Sequence, residues 1–486
     1  MAGADASTVE WLARHAAERP EAPALILDGR RIGFGTFQAA LGATVRFLAH
    51  LDLPVGAVAA LDCDDPFEHW LLVLGCETLG VATASLDGRA RETYAHLLRI
   101  ADILISTAPG PLAGCRRIER LAPGWPDRLS PGLSVAPLRA PEPLDPQAPL
   151  RLLQTSGTTG PVKWMRATRR SQDFWLMQYR RRSGMSRTTR HLVVSGFHLN
   201  AAYLYATACL RAGGCCLIET RRDLAAAMAS LRPTHAAMLP AELALLAGGG
   251  ALPGAAMTVS TLGGHVGPAL RGRIEALFGG PVIESYGSNE SGPIATMDAD
   301  GSGRLLPEVE AAILDDEGRR LPDGQAGLLR VRSAGVVAGY IDAPQATAAA
   351  FHDGWFQPGD LAVMLGGGRI RLLGRADDML NIGGVKIAPL DFEAAARALA
   401  AVDDICVVEL SDGSGRDELA VAVRPAADAV PADIARQIGA LLPPSWGRAT
   451  LRFVPAIPRT ATGKPARAAL RALLRQRPGL VPDPES

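Results

Sequence analysis

Along the first hundred residues the apolar positions switch repeatedly between two periods. Segments with helical spacing, such as Thr36 to Leu51, alternate with short β-branched or apolar runs, such as Val55 to Leu61 and Ile103 to Ile105. That alternation predicts a layered α/β domain, because short strand runs and one-sided helices can bury their apolar faces only against each other. A Pro/Gly-rich stretch from Ala108 to Pro149 interrupts the rhythm and reads as irregular surface chain. Beyond it, Leu192 to Ser195, Gly214 to Glu219, Ala236 to Leu239, Thr258 to Leu262 and Val282 to Glu284 read as buried strands between Ala/Leu-rich helical segments, the pattern of a stacked or doubly wound sheet.

After Gly301 the helices thin out. Short strands are predicted at Glu308 to Leu314, Gly327 to Ser333, Leu361 to Leu365 and Arg369 to Leu373, with Gly366-Gly367-Gly368 as a tight turn before the last, which suggests a barrel-like or antiparallel β region. From about Asp378 a new alternation begins: helix Pro389 to Leu399, strands Ile405 to Leu410 and Glu418 to Arg424, helix Pro431 to Leu442 and strand Thr450 to Phe453. The expected fold is therefore α/β plus α+β. A large N-terminal domain of stacked α/β sheets over residues 1–376 precedes a compact α+β domain over residues 377–486, of a size that can fold alone.

Composition narrows the possibilities. A chain of 486 residues is long enough for at least two cores, and 48% hydrophobic with 21% charged residues is ordinary for a globular protein. The formal net charge of zero gives no electrostatic reason to expect nucleic acid as a partner. Seven cysteines without a C-x-x-C pair, and nine histidines without an H-E-x-x-H spacing, argue against a disulfide framework and a zinc site. Acidic and basic residues between Met1 and Arg14 replace the apolar stretch of a signal peptide, and no window reaches the length of a membrane span. A cytoplasmic protein is expected.

Of the fifty basic residues only Lys163, Lys386 and Lys464 are lysine. Arginine serves as well wherever a surface positive charge suffices, but guanidinium cannot mimic a compact, flexible ammonium. All three lysines lie in or beside Gly-rich segments, so they are candidate ligands for phosphate or carboxylate. The first closes Gln154-Thr155-Ser156-Gly157-Thr158-Thr159-Gly160-Pro161-Val162-Lys163, whose hydroxyls, backbone N–H groups and ammonium could wrap phosphate oxygens. It is not a Walker A loop, since its glycines are too close together and Trp164 follows the lysine.

This segment resembles the phosphate loop T-S-G-T-T-G-x-P-K of the acyl-adenylate-forming (AMP-binding) superfamily, which includes acyl-CoA synthetases, aryl and fatty acyl ligases, peptide-synthetase adenylation domains and luciferases. Val162 replaces the loop's proline. Four more segments resemble that family in its order: Ser285-Tyr286-Gly287-Ser288-Asn289-Glu290, Gly354 to Leu361, the block Gly374 to Ile387, and Pro458 to Lys464.

The resemblance implies ATP, Mg²⁺ and coenzyme A, or the phosphopantetheine of a carrier protein, as cofactors and co-substrates. It implies that Thr155, Ser156, Gly157, Thr158, Thr159, Gly160 and Lys163 hold phosphates. Ser285 belongs to the nucleotide segment, Tyr286 would stack on adenine, Gly287 would let the backbone approach the nucleotide, and Glu290 would hold Mg²⁺ on ATP oxygens. Asn289 stands where the family has a threonine that contacts the α-phosphate. Asp360 would accept from both ribose hydroxyls and Arg375 would reach ribose or phosphate. Lys464 would meet the charge that builds at the α-phosphorus. Asp377 corresponds to the hinge of a mobile C-terminal domain, which presents either Lys464 or the thiol-tunnel residues Gly383, Gly384 and Lys386.

For the substrate, Phe197-His198 stands where amino-acid-activating members carry Phe-Asp. Without that carboxylate an α-ammonium would be left unpaired, so a small non-amino carboxylic acid is expected. Gly263 and Gly264 match a family segment that lets backbone run along adenine and the acyl chain. His198, Tyr203 and His265 are candidate acyl-pocket residues. The expected activity is ATP-dependent formation of an acyl-adenylate and transfer to a thiol, with coenzyme A as acceptor or, alternatively, an acyl carrier protein. A third reading, a non-catalytic nucleotide- or acyl-binding homologue, is motivated by Val162, Trp164 and Asn289 and opposed by the retention of Lys464.

Overall fold

The computed structural model of the chain describes residues 6–87, 94–107, 114–128, 145–155, 162–220, 223–248, 256–264, 266, 268–376, 380–382, 385–387, 389–397, 399–411, 417–427, 429–443, 446, 449–459 and 465–476. Two sheets dominate it. The smaller, of six strands, runs Ile118–Arg120, Ile103–Ser106, Val58–Asp62, Ala82–Ser85, Pro149–Gln154 and Trp164–Thr168, parallel throughout except for the final antiparallel pair. Its central strands are buried on both faces, as parallel strands covered by helices must be.

The larger sheet joins two kinds of pairing. Strands Pro23–Leu27, Cys215–Ile218, Arg190–Val193, His235–Met238, Thr258–Thr261 and Val282–Ser288 lie parallel in that order. Val282–Ser288 then pairs antiparallel with Gly292–Met297, and the sheet continues antiparallel through Ser302–Leu305, Arg369–Arg375, Asp360–Gly366 and Ala326–Arg332. The antiparallel region expected after Gly301 is thus present and joined edge to edge to the parallel strands. Crevices beside strand ends where topology changes are habitual ligand sites. Val282–Ser288 is such a strand, and its pairing slips in register between Tyr286 and Gly287.

The largest core cluster lies between the sheets, where helices Phe34–Ala49, Pro66–Thr78, Arg169–Ser183 and Asn200–Arg211 pack around Trp70, Trp175, Tyr203 and Tyr205. Arg169–Ser183 starts on a capping box made by Thr168 and Ser171, and ends at Gly184 in the left-handed conformation. None of the described helices is long and apolar enough to cross a membrane. All seven cysteines are free thiols.

The stretch from Ala108 to Pro149 carries more order than its composition predicts. Ile118–Arg120 adds an edge strand, and Trp125, in a single turn of 3-10 helix, buries its ring 6.0 Å from that of Phe47. Proline and glycine set the turns there, but one indole gives the segment an apolar anchor.

Beyond Leu380, helix Leu390–Arg397, strands Val402–Ser411, Asp417–Pro425 and Ala449–Phe453, and helices Pro431–Leu441 and Arg467–Gln476 form a three-stranded sheet with helices. Its two apolar clusters contain only residues from Leu380 onward. The closing helix Arg467–Gln476, which the sequence reading did not single out, seals one of them with Leu470 and Leu474.

Candidate active site

Strands Pro149–Gln154 and Trp164–Thr168 form a hairpin whose last pair is Gln154 with Trp164. At its mouth the Thr155 N–H donates to the Lys163 carbonyl at 2.9 Å, and the Lys163 N–H donates to Thr155 Oγ1 at 3.2 Å. These two bonds close the base of the Gly-rich segment. Ser156, Gly157, Thr158, Thr159 and Gly160 lie outside the described residues. Trp164, unexplained by the motif, packs in a buried cluster with Tyr94, Leu152 and Ile341 beneath the hairpin.

The second wall is the turn after Val282–Ser288. Trp175, fully buried, donates its indole N–H towards the carbonyls of Ser291 at 3.1 Å and Gly335 at 3.0 Å. Gly292 has φ +68°, and a β-carbon there would run into the same indole ring, so only glycine lets the turn sit on Trp175. The turn presents Asn289 and Glu290. Asn289 donates from Nδ2 to the Gln154 carbonyl at 2.9 Å and accepts from Asn200 Nδ2 at 3.4 Å. Its amide thus ties this wall to the hairpin, a use that the threonine of the family motif would not predict.

Glu290 is almost buried and accepts a hydrogen bond from the Tyr340 hydroxyl at 3.1 Å. Tyr340 is held by its own backbone: it bridges Met165 of the hairpin, and the neighbouring Ile341 N–H donates to the Trp164 carbonyl at 2.7 Å. Lys163 Nζ lies over the Tyr340 ring, 5.0 Å from its centre. Burial, followed by the adjacent Glu290 charge, raises the Tyr340 pKa, so the phenol stays protonated and donates.

A third group meets across the antiparallel strands. The Tyr286 hydroxyl donates to Asp360 Oδ2, Arg375 Nε lies 3.7 Å from Asp360 Oδ1, and Arg375 Nη1 donates to the Pro358 carbonyl at 2.8 Å. Burial first and Asp360 second push the Tyr286 pKa well up. Gly287 lies against the next strand, where a β-carbon would collide with the Gly292 carbonyl. Ser285 is turned to the other face, as alternation along a strand requires, and accepts from Arg182, which also donates to the Tyr205 hydroxyl at 2.6 Å.

Gly263 has φ +67° and Gly264 packs against Pro240. His198 Nε2 lies 3.9 Å from Asp87, and Tyr203 is fully buried with its ring 5.8 Å from Phe197. A small cavity touches Ser85, Arg151, Gln154, His198, Asn200 and Asn289. His265, Asp377, Gly383, Gly384 and Lys464 lie outside the described residues. Lys386 is in strand Val385–Ile387, paired with Asn381. Either side of Lys464, Arg459 bridges Pro465 through the backbone and the Ala466 N–H donates to the Pro458 carbonyl at 2.8 Å. The flanking guanidiniums meet two buried carboxylates: Arg459 reaches Asp404 at 2.5 Å and Arg467 reaches Glu393 at 2.7 Å, with Arg397 3.4 Å from both acids.

The site's chemistry suits a nucleotide: the Lys163 ammonium and the nearly buried Glu290 carboxylate meet at Tyr340, and a carboxylate–guanidinium pair, Asp360 with Arg375, lies beside Tyr286. No three His, Cys, Asp or Glu side chains gather as a metal cage among the described residues. Glu290, a single carboxylate already oriented by Tyr340, fits an ion that takes its other ligands from phosphates and water, as Mg²⁺ does.

Fold and site together define an AMP-forming acid–thiol ligase, and the chain belongs to the AMP-binding enzyme family, whose model matches residues 12–341. Among its relatives, a sulfoacetate–CoA ligase of Cupriavidus necator is 27% identical over 94% of this chain and 96% of its own. A fatty acid–[acyl-carrier-protein] ligase, MmaC of Mycobacterium marinum, is 27% identical over 98% and 99%. Among solved structures, ATP-bound MatB from Rhodopseudomonas palustris superposes with a TM-score of 0.84, at 21% identity over 96% of this chain and 99% of that one.

Sequence reasoning missed Tyr340, Asn200 and Arg151. Tyr340 and Asn200 lie outside every motif. Arg151 carried a signal: it is a lone charge inside the apolar run Pro149-Leu150-Arg151-Leu152-Leu153 that leads into the Gly-rich segment.

Proposed function

We propose that this chain converts a small non-amino carboxylic acid and ATP into an acyl-adenylate and pyrophosphate, and then transfers the acyl group to a thiol. In the first step a carboxylate oxygen attacks the α-phosphorus and the bond to pyrophosphate breaks. In the second the thiol sulfur attacks the acyl carbon and AMP leaves. The observation that carries this reading is the convergence of Lys163, Glu290 and Tyr340, distant in sequence, on one wall whose turn begins at the end of the strand bearing Tyr286.

Asp360 offers its oxygens to the ribose diol, displacing the Tyr286 hydroxyl, and Arg375 keeps that carboxylate charged and aimed. The loop from Thr155 to Lys163 cradles phosphates, and Tyr340 holds both Lys163 and Glu290 to it. Mg²⁺ bound at Glu290 would neutralise phosphate charge as pyrophosphate leaves. Lys464 stabilises the developing negative charge from the C-terminal domain, residues 377–486, which turns about Asp377 to exchange it for the thiol-tunnel residues Gly383, Gly384 and Lys386.

Coenzyme A is the proposed acceptor, supported by the full-length similarity to a CoA ligase; the comparable similarity to a carrier-protein ligase keeps phosphopantetheine as the second reading. Pyrophosphate exchange with a panel of acids tests the first step. Release of AMP with CoA against holo-carrier protein tests the second. A chain that shows no exchange with any acid is not an adenylating enzyme.

A further inference from the structure

Arg151 is 2% exposed, and its guanidinium lies over the Tyr203 ring, 4.2 Å from its centre. Nη2 donates to Ser85 Oγ at 2.8 Å and to the Phe197 carbonyl at 3.3 Å. Ser85 is fixed in turn: His69 Nδ1 lies 3.1 Å from the Cys63 carbonyl and must donate to it, so Nε2, 2.7 Å from Ser85 Oγ, accepts the serine hydrogen. Ser85 therefore accepts from Arg151, and the guanidinium is held in one orientation.

Its other side is not satisfied. Nε and Nη1, three N–H donors between them, have no hydrogen-bond acceptor among the described residues. Among the described residues no carboxylate lies within ion-pair distance of Arg151. The buried acid whose charge reaches Arg151, Glu77, is closer to another guanidinium, Arg169 at 3.6 Å. A buried cation supported only by Tyr203 and by the more distant charge of Glu77, with donors left over, is unfavourable unless something anionic completes it. Arg151 lines a small cavity that also touches His198, Asn200 and Asn289, so its side chain stands beside residues of the site.

We propose that the acid activated here carries a second anionic group, a carboxylate or a sulfonate, and that Arg151 receives it. This rests on the adenylation reading. One carboxylate faces the nucleotide beside Asn289, and the distal anion completes the idle donors of Arg151. A substrate with an apolar tail would leave those donors unpaired, so discrimination is of the polar kind, in which a missing partner is penalised more than a missing methylene.

The test is pyrophosphate exchange by the full-length protein with matched acids: butyrate against succinate, valerate against glutarate, and acetate against malonate and sulfoacetate. The anion-bearing partner of at least one pair should be preferred by tenfold or more in kcat/KM, and the pairs separate carboxylate from sulfonate. In Arg151→Met the preference should collapse towards unity, and in Arg151→Lys part of it should survive. A wild-type preference for the neutral acids, or a ratio that Arg151→Met leaves intact, overturns the inference while adenylation stands. No exchange with any acid removes both. Melting curves report whether Arg151→Met folds; if it does not, the wild-type ratios and Arg151→Lys decide.

Discussion

Tyr340 donates its hydroxyl hydrogen to Glu290 Oε1 across 3.1 Å, while its ring faces the Lys163 ammonium 5.0 Å away. One side chain thus grips both the carboxylate proposed to hold Mg²⁺ and the lysine proposed to hold phosphate. Hydrogen bonds to charged groups contribute about 1.5–3 kcal/mol, so Tyr340→Phe should lower kcat/KM for ATP roughly tenfold or more. The Mg²⁺ concentration needed for half-maximal exchange should rise with it. An unchanged Mg²⁺ dependence would detach Tyr340 from the metal site.

Tyr286 and Asp360 predict an asymmetry. The phenol occupies a carboxylate oxygen that we propose for the ribose diol, and on that proposal the hydroxyl yields when ATP binds. Tyr286→Phe should keep ring stacking and leave the KM for ATP within about threefold of wild type. Asp360→Asn, by removing a charge-assisted acceptor, should raise that KM on the order of tenfold to a hundredfold. Equal losses in the two variants would contradict this division of roles.

The arginines flanking Lys464 are anchored by buried acids, Glu393 and Asp404. Removing one partner of a buried ion pair typically costs about 3–5 kcal/mol. Glu393→Gln and Asp404→Asn should lower the melting temperature and reduce pyrophosphate exchange. Thioester formation from preformed acyl-adenylate should fall less, because the role proposed for Lys464 belongs to the first step. Parallel losses in both half-reactions would reduce the clamp to a purely structural one.

His69 gives a pH dependence of stability. Burial, with Arg151 and His198 nearby, lowers its pKa from 6.5 to about 4. The unfolded chain therefore binds the extra proton first, so this contribution is complete above pH 6.5 and is lost as pH falls from 6.5 towards 4. It amounts to roughly 3 kcal/mol. Urea midpoints measured between pH 4 and 7 should fall along that window, and His69→Asn should flatten the slope.

Much of this was legible in the chain. Strand runs such as Thr258 to Leu262 and Ile103 to Ile105 were visible because central parallel strands are apolar on both faces, and the helix around Thr36 because its apolar stripe has one period. The order of Ile118–Arg120 and Trp125 was not, since a single anchoring indole leaves no periodic trace among prolines and glycines. In the site, the motifs named Tyr286, Glu290 and Asp360, but not that Tyr286 and Asp360 bond each other or that Asn289 is spent on Gln154. Those are contacts across some 70 and 135 positions, which spacing does not encode. Tyr340 belongs to no motif, and the pairing of Met165 with Tyr340, with the Ile341–Trp164 bond beside it, brings it to the hairpin that carries Lys163.

The most direct trial of the central claim compares wild type with Lys464→Ala in acid-dependent ATP–pyrophosphate exchange, with ATP binding measured in parallel. Exchange lost by a hundredfold or more while ATP still binds is the result expected if this ammonium stabilises the transition state at the α-phosphorus. Exchange at the wild-type rate would contradict it.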